Sequence, residues 1–452
     1  MKFFFFLFFL IVFAGCAQAP KPRTDKLSIL QGITSSKEVE FSIVGPLGRT
    51  FRFELRSSED EVLDPEEVLT VTRPFSDWQI YKMVFVRDQL KDYNLYVYEN
   101  DKIIDQRLIG KGQLNQSKLK LAVLSCMDDN YKQNFKIWDV LAKRNPEYMI
   151  MIGDNVYADR SARGNPINSS PESIWKRYVE VRTTLPFYFQ EKLTPVHALW
   201  DDHDYGVNDG NEDFPQKNAS KEIFDAFYAQ SMNDETYFKG FGVGGLLSLG
   251  DFNLYFLDAR SFRAPNKDGR HLGGEQHQWL MKSLKEESQP SFIIKGDQFF
   301  GGYHTFESYE GNQPADFSTF VTELKALGTP FIFLSGDRHM SEIMQFPRSL
   351  FGLPSFEITS SPMHAKIFEP NASRNPWRVV STEGKMNFTM IDSIARDNHW
   401  FMDVENIGEA GDINYRRELA VFIKDLQNNL FESRKRRSGK RRYRRVRGRR
   451  RR

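Results

Sequence analysis

Four short apolar runs each end in residues suited to bind a metal or an anion, and that repeated placement constrains the fold more than any other feature of the chain. Leu119 to Leu124 runs into Ser125-Cys126, and Tyr148 to Ile152 into Gly153-Asp154-Asn155-Val156-Tyr157. Val196 to Trp200 leads to Asp201-Asp202-His203-Asp204, and Phe331 to Leu334 to Ser335-Gly336-Asp337-Arg338-His339. Runs of this length and composition read as buried strands. In an open α/β sheet the carboxyl ends of the strands meet at one crevice, so residues far apart in sequence come together there. Taken singly, a Gly-Asp after a strand is a common turn and an Asp-x-His pair a common surface pair. Four at equivalent strand ends point to one site.

The donor types fit a metal centre. An unpaired thiol and a phenol beside a carboxylate can be deprotonated by a trivalent iron, whereas carboxylates suit a harder divalent ion such as calcium or manganese. Cys126 is the only cysteine besides Cys16, so it has no disulfide role to compete with that chemistry.

The remaining sequence divides by style. From Leu27 to about Gly110, short alternating stretches such as Val39 to Ile43 and Phe51 to Leu55 are separated by turn residues, which predicts a small β-sandwich without chemistry of its own. From Lys118 onward, strands alternate with helices, expected over Tyr131 to Arg144 and over Asp316 to Leu327, the latter capped by Asp316 and ended by Gly328. That alternation implies an α/β domain over 118–432. Asp204 to Gly245 reads as an insertion over one end of the sheet, with a helical stretch at Glu222 to Ala229. Met386 to Lys424 alternates enough to supply strands to a second sheet.

The order Ser-Cys, Gly-Asp-x-x-Tyr, Asp-Asp-His and Gly-Asp-x-His resembles that of the PhoD-like alkaline phosphatases and phosphodiesterases, relatives of the purple acid phosphatases within the calcineurin-like metallophosphatase fold. The resemblance covers about Leu27 to Lys424. It implies an α/β fold, a four-layer α/β/β/α sandwich preceded by the small β-sandwich, and a hydrolase acting on phosphate esters. It makes Cys126, Tyr157 and His339 ligands of an iron site, with Asp154 shared by both metals and Asp202 and Asp337 on a second, calcium-containing site where manganese or zinc are alternatives. Asp201 competes with Asp202 for its role, and a further ligand position following Phe292 to Lys295 falls on Asp297 or Gln298. Two metals holding a bridging hydroxide would attack the phosphate in line, without a protein nucleophile. His203 is then placed to bond the phosphate or to protonate the departing oxygen, against a structural bond to Asp204. Arg260, after the strand Phe252 to Leu257, and Arg160, just past Tyr157, are candidate phosphate clamps because guanidinium grips phosphate through two hydrogen bonds, although each could equally pair with nearby acids. His364 is a further candidate to reach the pocket, although a lone loop histidine usually has no role.

The two ends carry different messages. Lys2, the apolar run Phe3 to Phe13 and Ala14-Gly15-Cys16 have the pattern of a lipoprotein signal peptide over 1–16, with ordinary cleavage after Ala17-Gln18-Ala19 as the alternative; both export the protein, and the first anchors it in a membrane through a lipidated Cys16. The formal net charge is +2, but the 14 Lys and Arg between Arg434 and Arg452 leave −12 for the rest. The tail 433–452 is expected to be a solvated arm, either able to bind polyanions without specific nucleic-acid recognition or a low-complexity terminus without a partner. The competing function is a non-catalytic polyanion-binding lipoprotein whose metals only staple the fold.

Overall fold

The computed structural model describes residues 26–34, 37–112, 117–230, 237–286, 289–304, 306–368, 375–382 and 384–422. The expected signal peptide with Cys16 and the basic tail lie outside them. Two four-stranded sheets open the chain. One orders Ser28–Thr34, Glu38–Pro46, Trp78–Val86 and Glu67–Val71; the other orders Val62–Leu63, Arg52–Ser57, Tyr93–Glu99 and Lys102–Leu108. Every pairing in both is antiparallel. Phe41, Ile43 and Phe85 from the first and Phe53, Leu55 and Val97 from the second share one buried cluster.

The remainder is mixed α/β around two larger sheets. A six-stranded sheet orders Val196–Leu199, Tyr148–Ile152, Lys118–Leu124, Asn387–Arg396, His399–Gly408 and Ile413–Phe422. Its first three strands are parallel and its last three antiparallel. An eight-stranded sheet has a parallel centre of Phe252–Phe256, Ser291–Ile294, Phe331–Ser335 and Ser355–Thr359. Antiparallel strands close both its edges.

Period-two alternation decides which face of the eight-stranded sheet meets what. Leu254, Phe256, Phe292, Ile294, Ile332 and Leu334 enter the same core cluster as Leu121, Val123, Ile150 and Ile152 of the six-stranded sheet. Tyr255, Ile293, Phe331 and Phe333 point the other way, onto Leu280 and Leu284 of the helix Gly274–Glu286 and Phe317, Phe320 and Leu324 of the helix Pro314–Leu327.

The expected helices exist with shifted starts. Asp128 accepts from Asn130 and Tyr131 in a turn, so the α-helix begins only at Ile137 and ends at Arg144. Pro314 occupies the first turn of the later helix, and Asp316, expected as its cap, instead accepts from the backbone of His271 and from the Tyr309 hydroxyl. Gly328 ends that helix in the left-handed region at φ 64°. The helical stretch of the insertion covers Lys217–Phe227. Among the described residues, no helix is long and apolar enough to cross a membrane.

Candidate metal centre

The strand ends do meet, but they come from both large sheets. Lys118–Leu124, Tyr148–Ile152 and Val196–Leu199 deliver Cys126, Asp154 and Asp202 from the six-stranded sheet, while Phe331–Ser335 delivers Asp337 and His339 from the eight-stranded one. Backbone bonds lash the loops together: Cys126 N donates to the Gly153 carbonyl at 3.2 Å, Met127 N to the Asp154 carbonyl at 2.8 Å and His364 N to the Cys126 carbonyl at 3.2 Å. Two glycines make that approach possible. A Cβ on Gly153, whose φ is 110°, would lie 2.5 Å from the Asp201 Cβ, and one on Gly336 would lie 2.6 Å from the Ser125 Oγ. Cys126, Asp154, Asp337 and His339 themselves have φ between 52° and 61°. Non-glycine residues in this region cost free energy and concentrate at functional sites.

Three overlapping groups of donor atoms lie within 4.8 Å of one another: Cys126, Asp154 and His339; Asp154, Asp202 and His203; Asp201, Asp202 and Asp337. The Tyr157 hydroxyl joins the first, 3.3 Å from His339 Nε2. His339 donates through Nδ1 to the Lys366 carbonyl, which leaves the Nε2 lone pair facing the cluster. A fourth group, Asp202, Asp209 and Glu307, adjoins them.

The electrostatics ask for positive charge. Burial, then the carboxylates of Asp154 and Asp337, pushes the Cys126 thiol well above its ordinary range. Burial and the neighbouring Asp202 and Asp201 do the same to Asp154, burial and Cys126 raise Tyr157, and burial with Asp202 and Glu307 lifts Asp337 to about 7. Asp202 is the exception: although burial opposes ionisation, His203 and Arg260 hold it below its usual range. His339 is kept neutral by burial, down to about 4, as a ligand must be. A thiol, a phenol, an imidazole and several carboxylates crowded without enough counter-charge fit a binuclear cation site.

The other expected residues divide. His203 lines a cavity of about 550 Å³ together with Arg160, Asp202, Asp337 and His339. Its Nδ1 bonds Asp159 Oδ1 at 2.8 Å, its Nε2 lies 3.4 Å from Arg160 Nη2, and its ring stacks on Tyr157 at 4.1 Å. Its side-chain partner is thus Asp159, not Asp204. Arg260 is fully buried, pairing with Asp201 at 2.5 Å and Glu307 at 2.7 Å, and it does not line the cavity. Asp201, held by Arg260, belongs to one donor group where Asp202 belongs to three. Asp297 is in none; Lys295 Nζ lies 2.5 Å from it and His271 Nε2 3.6 Å. Gln298 bonds Glu342 and Thr359. His364 accepts from the Trp138 indole at 3.1 Å and donates to the Asp128 carbonyl at 3.1 Å, a structural role.

Sequence reasoning missed Asp159, Arg338, Lys366, Phe306 and Phe368. Arg338 stood inside the Asp337–His339 motif and was legible; the two phenylalanines carry no local signal.

The model of the PhoD-like phosphatase family matches residues 121–409. The chain belongs to that family. Its four strand-end motifs all fall inside the match, and the family's phosphatase chemistry and use of metal ions agree with the donor clusters. No curated protein matches the chain. Among solved structures, the crystal structure of TT1561 of Thermus thermophilus is similar at 8% identity, covering 68% of this chain and 99% of that one with a TM-score of 0.29, a superposition too loose to bear on fold or function.

Proposed function

We propose that this PhoD-like phosphatase is an exported, metal-dependent hydrolase of phosphomonoesters and phosphodiesters. One observation carries the reading: Asp154 belongs both to the group with Cys126 and His339 and to the group with Asp202 and His203, so one carboxylate serves two adjoining donor sets. Cys126, Tyr157, His339 and Asp154 would hold iron; Asp154, Asp202 and Asp337 would hold calcium. When bound, such cations offset the charge of the phosphate and lower the pKa of water enough to make it a nucleophile at neutral pH.

The chain's own residues do the rest. Water that has given up a proton to solvent attacks phosphorus, the bond to the leaving oxygen breaks, and that oxygen takes a proton. His203 is the donor: it faces the cavity, Asp159 fixes its ring through Nδ1, and the acid pair Asp202 and Asp159 outweighs burial to raise its pKa. Arg160, beside His203 Nε2, faces the phosphate. Arg260 acts through Asp201 as a positioning residue. The shared core of the two large sheets, with helices packed on the outer face of the eight-stranded one, supports the four-layer arrangement, and the two small sheets support a β-sandwich ahead of it.

Elemental analysis of the purified protein is expected to find iron with calcium. Cys126→Ala should lose iron and nearly all hydrolysis while remaining folded by circular dichroism. Full activity at unchanged iron content would falsify the assignment. Export rests on the pattern Met1 to Cys16; Cys16→Ala should release the protein from the membrane pellet, and its retention there removes the lipid anchor.

A further inference from the structure

Two partly exposed phenylalanines line the metal cavity. Phe306 and Phe368 both line it, are 41% and 40% exposed, and lie 6.3 Å apart between ring centroids with an interplanar angle of 36°. Phe368 stacks on His339 at 4.9 Å, which sets it one ring away from the donor cluster. Each ring has a cation against it: the Arg338 guanidinium is 4.4 Å from the Phe306 centroid and the Lys366 ammonium 5.1 Å from that of Phe368. Among the described residues, the other exposed large hydrophobic side chains do not line this cavity.

The part of each ring left exposed offers apolar surface to the organic portion of an ester, and the geometry points to one kind. Whatever is esterified to a phosphate held near His203 and Arg160 must leave the cavity past its mouth. The apolar surface there is only two rings wide. The rest of the lining is polar, Asn208, Asp209, Glu307 and Asn312 included, and would leave the length of an acyl chain against polar groups. A flat ring with polar substituents satisfies both: its face packs on the phenylalanines, and its edge meets Arg338 and Lys366.

Building on the phosphoesterase reading, we propose that Phe306 and Phe368 form the leaving-group subsite and select phosphate esters whose leaving group carries a planar aromatic ring, as a nucleoside or an aryl alcohol does. The pair sets specificity and takes no part in the bond-breaking step.

Equilibrium binding of non-hydrolysable phosphonates to the metal-loaded protein separates this from the underlying reading. Benzylphosphonate should bind about 10-fold tighter than ethylphosphonate, the size expected of ring stacking. Phe306→Ala and Phe368→Ala should each reduce that preference, and Phe368→Leu, which keeps apolar volume and is the safer variant for folding, should reduce it too. In parallel, the ratio of kcat/KM for phenyl phosphate over glycerol 3-phosphate should fall in the same variants. Equal binding of benzyl and ethyl phosphonates by the wild type overturns the subsite, as does octylphosphonate binding as tightly as benzylphosphonate or a preference untouched by all three substitutions. If no phosphonate or inorganic phosphate binds the metal-loaded protein at all, the phosphoesterase reading itself fails and this proposal falls with it.

Discussion

His203 is held from three sides. Asp159 accepts at Nδ1, its backbone N–H reaches Asp202 at 2.8 Å, and Tyr157 covers one face of the ring. Nε2 is turned toward the cavity, where it meets Arg160 Nη2 at 3.4 Å. A ring fixed by a carboxylate on one nitrogen and turned to the cavity on the other suits proton delivery to a departing oxygen once Arg160 swings from Nε2 onto the phosphate. His203→Ala should therefore lower turnover of esters with poor leaving groups by about 100- to 10,000-fold, the usual range for general acid catalysis, while nitrophenyl esters lose far less. Metal content should stay near that of the wild type; loss of metal would make His203 a ligand, and equal losses on both esters would point to phosphate binding. At this scale the strand-end residues were legible because each follows an apolar run directly. Arg260 was not, because its partners Asp201 and Glu307 are 59 and 47 residues away in sequence and no local pattern joins them. Asp297 shows the converse, a strand-end carboxylate outside the donor groups, one of whose oxygens accepts from Lys295 two residues before it.

Strands carry the site, and their assignment to sheets is where sequence and structure part. Alternation at Asn387 to Ile391 and Trp400 to Val404 predicts strands, and both occur within longer ones. Nothing local shows that Asn387–Arg396 pairs antiparallel with Lys118–Leu124, a strand more than 260 residues earlier, or that the donor loops arise from two sheets facing one core. Such pairing depends on which faces find each other, not on any one segment's pattern. A strand residue also supplies a test of that core. His197, on Val196–Leu199, is fully buried between Tyr237 and Phe256, and neither ring nitrogen has a hydrogen-bond partner among the described residues. Burial drives its pKa down to about 3, whereas an unfolded histidine titrates near 6.5. A folded pKa depressed below the unfolded one means that the unfolded chain binds the extra proton, so the stability is fully present above about pH 6.5 and is lost as the pH falls toward 3. For the chelator-treated protein, His197→Phe should flatten the decline in unfolding free energy between pH 6.5 and 4.5 by about 2 to 3 kcal/mol. Parallel pH profiles for the two proteins would place the charge elsewhere.

Across the whole molecule, one buried arginine joins the opening sheets to the catalytic body. Arg182, the last residue of the helix Pro171–Arg182, donates to the carbonyl of Ser42 at 2.8 Å and of Ser28 at 3.3 Å, and also to that of Phe227. Gly32 fits the same contact, since a Cβ there would collide with the Ala229 carbonyl. This fixed body is acidic. With the 14 cations of Arg434 to Arg452 set aside, the rest of the chain has a formal charge of −12, and Asp202, Asp209, Glu307 and Asp337 of that acidic set line the cavity. Bound cations offset the charge inside the cavity, but a polymer of phosphates would still meet a repelling surface outside it. The charge of the basic tail opposes that repulsion, and capture of a polyanion by it would act through counterion release, over distances set by the Debye length, about 10 Å at 0.1 M salt. Deleting Arg434 to Arg452 should therefore leave kcat and KM for a small monoester unchanged. For a polyanionic substrate the deletion should raise KM at low salt with little change in kcat, and the gap between the two proteins should close as salt approaches 1 M, where the Debye length shrinks to about 3 Å. Identical salt profiles for the full-length and shortened proteins would show that the tail plays no part in substrate capture, and a fall in small-ester turnover would show that it touches the catalytic body.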